Sequence, residues 1–240
     1  FVDYVLALPE ASRPKTFAVI SQDDPFTLGV VEAMEPLLTK AGLTEVLKEK
    51  YAPDTKDFSS IAAKVADLNP DLIIGGTMLE DSIGQIKAYI QAGYQPKGAF
   101  FTTGPSLPVE FDQALGKATE GVFSAMSWYE ASTTPTNPEF VAAYHAMYGS
   151  EPIAEDSANS FTVGQVLQQA VEATSGVDNA KLITYMHANT FKTVVGPLSF
   201  NELGQPQGSF MTLQWQGGKY VIIAPDYAKQ VEAIWPKPSW

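Results

Sequence analysis

The chain has 240 residues, 45% of them hydrophobic and 11% aromatic, enough to bury one large core or two modest ones. A formal net charge of −12, with 15 Lys and Arg that nowhere cluster, argues against a nucleic-acid or anionic-membrane partner. Zero cysteines remove disulfides and thiolate chemistry without fixing the compartment, and no apolar run reaches the ~18 residues of a membrane-spanning helix. The opening FVDYVLALPEA lacks a basic leader and a cleavage pattern and begins inside an apolar segment, so it reads as a mature or cut chain.

TFAVIS (16–21) reads as a buried strand, followed by a helix over about 26–41. On that helix Val30, Val31, Met34, Leu37, Leu38 and Ala41 share a face, with Asp24 as the N-cap, Pro25 in the first turn and Gly42 as the stop. TEVLKEKY (44–51) alternates charged and apolar residues, as an edge strand does. Phe58, Ile61, Ala62, Val65 and Leu68 mark the next helix, ended at Asn69-Pro70. DLIIGG is a third strand, and Ile83, Ile86 and Ile90 form the stripe of the helix closed by Gly93. GAFFTTGP and EGVFSAM complete five strands whose helical connections make βαβ units and a parallel sheet. The fold class is α/β, a doubly wound, flavodoxin-like lobe over residues 1–126.

Past Met126 the pattern changes. SWYEASTTPTNPE is a polar connector, followed by helical segments at about 138–148, 157–175 and 178–188 with no strand between them. Phe140, Tyr144 and Met147 mark the first. Phe161, Gly164, Leu167, Ala170 and Val171 mark the second, and Leu182, Ile183 and Met186 the third. These apolar faces need a sheet to lie on. Residues 127–190 therefore form a helical segment apart from the lobe of residues 1–126, and 191–240 a β-rich tail with a turn at Gly217-Gly218.

In open α/β sheets ligands sit beyond the strand carboxyl ends. Here those ends present Phe26, Thr77, Met78, Ser106, Trp128 and Tyr129, hydroxyls and apolar walls for a small solute. Gly75-Gly76 serves either as an ordinary turn or as a close-approach lip, and Trp128 and Tyr129 either pack a hinge or touch ligand. Capping accounts for Asp24 better than acid–base chemistry does, and Glu80 and Asp81 suit the first turn of a helix. His145 and His187 lie on separate helices without companion ligands, which favours packing or surface roles over metal. GPSLP lacks the flanking glycine of a nucleophile elbow, and neither GxGxxG nor a P-loop occurs. No catalytic residue, cofactor or metal is assigned.

TFAVISQDDPFTLGVVEAMEPLLTKAGL, DTKDFSSIAAKVADLNPDLIIGGT, GYQPKGAFFTTGPS, FTVGQVLQQAVEAT, FKTVVGPLSFNELGQPQG and IWPKPSW together resemble the type I periplasmic solute-binding proteins. The nearest group is the branched-chain-amino-acid receptors of ABC importers, the Leu/Ile/Val-binding protein family. The resemblance spans the whole chain and about the last two-thirds of a family member, which implies that the N-terminal part of the first lobe is lacking. It implies that residues 1–126 are the second lobe, that the helices return to the first lobe, and that the tail recrosses the hinge. The implied function is non-enzymatic capture of a small organic solute between two lobes and delivery to ABC permease subunits. The implied location is the periplasm or cell exterior, with a lipid anchor as one means of attachment. The family's loop aromatic corresponds to Phe26, its third-strand loop to about Thr77–Leu79, and its ammonium-binding acid to Ser106. An amino acid, amide, keto acid or aromatic acid all remain open as ligand. Two other readings remain open: a small-molecule enzyme of flavodoxin-like fold, and the ligand-sensing domain of a regulator.

Overall fold

The computed structural model describes residues 1–150, 152–208, 210–225 and 228–240. The apolar opening forms a short helix, α1 (Val2–Ala7), whose Val2 and Val5 enter the core beside Phe17, Phe100 and Phe123. Five βαβ-linked strands follow: β1 (Thr16–Gln22), β2 (Thr44–Tyr51), β3 (Leu72–Gly76), β4 (Gly98–Phe101) and β5 (Val122–Met126). Between them lie α2 (Pro25–Lys40), α3 (Ser59–Leu68), α4 (Leu79–Gln91) and α5 (Pro108–Leu115). β1 pairs in parallel with both β2 and β3, and β4 with both β3 and β5. β1, β3 and β4 are continuous apolar runs and lie inside the sheet, while the alternating β2 is its edge.

The helices of the first unit follow the expected spacing with four differences, one of them the exposure of Leu68 at the end of α3. α2 is capped by Asp24, whose carboxylate accepts from Phe26 N–H at 2.8 Å. It buries Val31, Met34 and Leu38 but leaves the expected core residues Val30 and Leu37 exposed, so its stripe is narrower than the sequence suggests. α4 buries Ile86 as expected and half-buries Ile83, but its buried face is turned away from Ile90, which is exposed, towards Asp81, Ser82, Gln85 and Tyr89. Tyr51 bonds to Asp81 and Gln85, Tyr89 donates to Gln85 Oε1, and Ser82 donates to Leu79 O, which makes that polar burial tolerable. Asp81 is thus no solvated first-turn acid. α5, between β4 and β5, has no counterpart in the sequence reading, because the fourth strand stops at Phe101.

Residues 1–125 with 212–240 make one compact unit, and 126–211 a second. The second unit holds α6 (Asn137–Tyr148), α7 (Glu155–Thr174) and α8 (Asn179–Ala188). A small antiparallel sheet of β6 (Phe191–Thr193), β7 (Gly196–Phe200) and β8 (Pro206–Gln207) completes it. One cluster joins Trp128, Phe140, Ile153, Ala158 and Val194, and another joins Val166, Ala170, Leu182, Phe191 and Leu198. Of the expected apolar stripes, Met147, Phe161, Leu167 and Ile183 are exposed.

The β-rich stretch 191–240 is shared between the units. β9 (Met211–Gln216) and β10 (Lys219–Ala224) extend the large sheet into the order β10-β9-β5-β4-β3-β1-β2. Gly217 and Gly218, both at positive φ, make the two-residue turn that antiparallel hairpins favour. The last residues strap the first unit: Trp235 Nε1 donates to Ser12 O at 3.0 Å and Trp240 Nε1 to Tyr94 O at 2.8 Å.

Candidate ligand-binding site

Parallel pairing sends the carboxyl ends of β1, β2, β3 and β4 to one edge of the first unit, where α2, α4 and α5 begin. Large apolar side chains stand exposed at those helix starts, Val109 of α5 among them. Phe26 in the first turn of α2 is 61% exposed, Met78 at the N-cap of α4 is 37%, and Leu107 at the N-cap of α5 is 41%. Ser106 lies half-buried in the turn closed by Leu107 N–H donating to Gly104 O at 2.9 Å. Leu107 escaped the sequence reading. Its signal was an apolar residue directly before Pro108 at a helix start.

Thr77 belongs to the same edge but turns inward, fully buried. Its hydroxyl donates to Thr103 O at 3.0 Å, and its N–H donates to Thr102 Oγ1 at 2.8 Å. Met78 N–H donates to Asp81 Oδ1 at 2.7 Å. The loop after β3 is therefore fixed from both sides. Gly75 and Gly76 are not at positive φ; their role is packing. A Cβ on Gly75 would overlap the Phe101 ring, and one on Gly76 the Ser21 hydroxyl. In the next loop Gly104, at φ +100°, presses against Ser82.

Several charges around this edge have partners within the protein, while Glu110 in the first turn of α5 stands exposed. Lys56 Nζ pairs with Glu80 at 2.7 Å, and Lys50 Nζ lies 3.8 Å from Asp23. Asp24 caps α2, and Asp57 accepts from Ser59 N–H at 2.9 Å. Burial pushes the Asp81 carboxyl up from its usual range, against the pull of its hydrogen bonds from Tyr51 and Met78. The 102–108 loop, TTGPSLP, carries no charge.

Trp128 and Tyr129 fall in the second unit. Trp128 is 1% exposed, edge-on to Phe140, and its Nε1 donates to Asn137 Oδ1 at 2.7 Å. Asn137 in turn donates to Glu130 O and Ser132 O, both at 2.9 Å, which makes Trp128 the anchor of its loop. Tyr129 is half-buried, and burial raises its hydroxyl pKa. Just before them, Ser127 N–H and Oγ both donate to Glu155 Oε1 at 2.5 Å. Four of the six expected residues thus share one strand edge of the first unit, and two lie in the second. His145 bonds to Glu130 at 3.1 Å and to Gly149 O at 2.7 Å. Among the described residues no cluster of three metal-binding side chains occurs. A separate groove of about 560 Å³ runs along α8 in the second unit, lined by Thr174, Lys181, Thr184, Tyr185 and Asn189 among others.

An open α/β sheet whose carboxyl edge carries exposed apolar groups on firmly held loops defines a class: a small-molecule-binding unit of doubly wound type. A family model described as "Periplasmic binding protein" matches residues 2–219, and the chain belongs to that family. Similar curated proteins include Leu/Ile/Val-binding protein homolog 7 of Brucella suis, 27% identical over 96% of this chain and 60% of that protein. Homolog 8 of Brucella abortus is 29% identical over 88% of this chain and 54% of that protein. Among solved structures, a leucine binding protein from Thermotoga maritima superposes with a TM-score of 0.78 at 20% identity, covering 93% of this chain and 63% of that one. A solute binding protein of an ABC transporter from R. palustris, in complex with benzoate, gives 0.72 at 20% identity, covering 99% of this chain and 62% of that one. The chain spans roughly three-fifths of the length of these relatives.

Proposed function

We propose that the protein is a non-enzymatic solute receptor that captures a small organic molecule at the carboxyl edge of the first unit and delivers it to an ABC permease. The observation that carries this reading is the trio Phe26, Met78 and Leu107, apolar and exposed at three helix starts around one sheet edge. Exposed apolar groups on loops tied by hydrogen bonds to neighbouring elements suit reversible capture better than bond-making chemistry. Family membership supports the same reading and a periplasmic or extracellular location.

In this reading the first unit is the second lobe of the receptor, and α6–α8 with their small sheet return to the first lobe. Phe26, Met78 and Ser106 touch the solute, with Leu107 beside them. Thr77 acts from below by fixing the loop, and within the second unit Trp128 anchors the loop that carries Tyr129. Relatives described as binding leucine and benzoate make branched aliphatic and aromatic acids the first solutes to try.

The test is ligand-linked stabilisation of the full-length protein. A solute present at 100 times its dissociation constant should add about 2.7 kcal/mol to unfolding stability, seen as a rise in melting temperature. Isothermal calorimetry then gives affinity and stoichiometry. Turnover of any binding solute would overturn the receptor reading.

A further inference from the structure

Beneath the Met78 loop four polar side chains form a buried chain. The Tyr51 hydroxyl, at the carboxyl end of β2, donates to Asp81 Oδ2 in the first turn of α4. Gln85 Nε2 donates to the Tyr51 oxygen at 3.0 Å, and Tyr89 OH donates to Gln85 Oε1 at 3.0 Å. The second Asp81 oxygen accepts from Met78 N–H at 2.7 Å. The Tyr51 hydroxyl has one alternative acceptor, the Gly76 carbonyl 3.3 Å away at the end of β3.

A hydroxyl carries one hydrogen and two lone pairs, so Tyr51 can donate to only one of these acceptors at a time. With Asp81 ionised, that hydrogen goes to the carboxylate, and Met78 N–H makes a charge-assisted bond to the other oxygen. A proton taken from solvent onto Asp81 Oδ2 reverses the first bond. The new carboxyl O–H donates to the Tyr51 oxygen, which keeps its bond from Gln85, and the Tyr51 hydrogen turns to Gly76 O. The Met78 bond then becomes neutral and loses about half its strength. Both ends of the rim segment, Gly76 and Met78, register a single proton.

We infer that Asp81 and Tyr51 are positioning residues for the candidate rim, a proton-sensitive strut that sets how firmly the loop from Gly76 to Met78 is held. The surroundings fit this role. Facing Asp81 are Tyr51 from β2, the apolar ring of Phe58 at the start of α3, set edge-on to Tyr51 at 5.0 Å, and Tyr89 on α4 through Gln85. Glu49 of β2 acts on Tyr89, and outside lies the Lys56–Glu80 pair, engaged with itself at 2.7 Å. Burial raises Asp81 above the usual carboxylate range, and it raises Tyr51 too, so the phenol stays protonated and available as a donor. The link between this strut and solute uptake rests on the receptor reading; the proton exchange does not.

Isotope-labelled full-length protein, without ligand, tests the inference by NMR. The Asp81 carboxyl carbon and the Met78 amide proton are followed from pH 3 to pH 8. The expected result is one shared midpoint, above the roughly 3.9 of an unperturbed aspartate. Tyr51→Phe removes a donor that favours the carboxylate and should move the shared midpoint upward. Asp81→Asn should abolish the Met78 titration. A Met78 amide that ignores the Asp81 titration in the parent protein overturns the inference, whether or not either variant folds. So does a Tyr51→Phe midpoint that stays put or falls. Failure of every solute to bind would sever the link to uptake and leave these midpoints unchanged, so the two readings fail separately.

Discussion

Thr77 and Thr102 hold each other across the ends of β3 and β4. Thr102 Oγ1 accepts from Thr77 N–H at 2.8 Å and donates to the Thr77 carbonyl at 2.8 Å, a reciprocal pair that ties two rim loops together. Thr102→Val keeps the shape and strands both backbone groups. It should lower unfolding stability by about 1–3 kcal/mol. Thr102→Ser retains the hydroxyl and should lose much less. Urea unfolding of the two variants checks this, and equal losses would assign the effect to packing.

Gly75 and Gly76 are held to glycine by their neighbours. Alanine at either position pushes a methyl into Phe101 or Ser21 and should cost about 1–3 kcal/mol as overpacking. The Ser21→Gly/Gly76→Ala double variant removes the obstructing side chain and should recover part of the Gly76→Ala loss. A thermal-melt double-mutant cycle measures that recovery. Strict additivity would mean the clash lies elsewhere.

Phe26 and Trp128 should separate cleanly. Phe26→Ala removes an exposed ring, so stability should barely change, while affinity for a solute identified by thermal shift should fall by roughly 1–3 kcal/mol. Trp128→Ala empties a core position and strands Asn137 Oδ1, so it should cost about 3–5 kcal/mol of stability. Calorimetric titration with denaturant unfolding reads both. Unchanged affinity in Phe26→Ala would move the site away from this edge.

Lys237 is buried with its ammonium 3.6 Å from the Trp240 ring centroid and donating to Pro238 O at 2.9 Å. Burial lowers its pKa to about 7, only partly opposed by Glu120. Folding thus disfavours the proton, and the stability contributed by neutral Lys237 is lost as pH falls from its ordinary 10.5 towards about 7. Lys237→Met has no such proton. Its stability relative to the parent should rise by about 1.4 kcal/mol per unit of falling pH in that window and level off below it. Denaturant midpoints at pH 7, 8 and 9 test this; a constant difference would mean that the Trp240 face holds the ammonium as well as water does.

Much of the first unit was legible in the chain because its signals are local. Continuous apolar strands, an alternating edge strand, the Asp24-Pro25 cap and the Gly217-Gly218 turn each depend on residues close in sequence. The same locality explains the errors. Ile83, Ile86 and Ile90 gave α4 a convincing stripe, but the face it buries was set by Tyr51, 30 positions before Asp81. Leu107 escaped because no helix was expected between the fourth and fifth strands, although Pro108 directly after it suits a helix start.

By itself the sequence determined the parallel sheet with its carboxyl edge and most of the strand and helix order around it, since period and caps act over short stretches. Only the tertiary structure decided which residues at that edge face outward. Thr77 turned inward to Thr102 and Thr103, Asp81 sank beneath Met78, and Trp128 closed into the core of the second unit. It also divided the β-rich tail, placing β9 and β10 in the large sheet. Those outcomes depend on partners far away in sequence, whose hydrogen bonds and packing decide between burial and exposure for side chains that are locally equivalent.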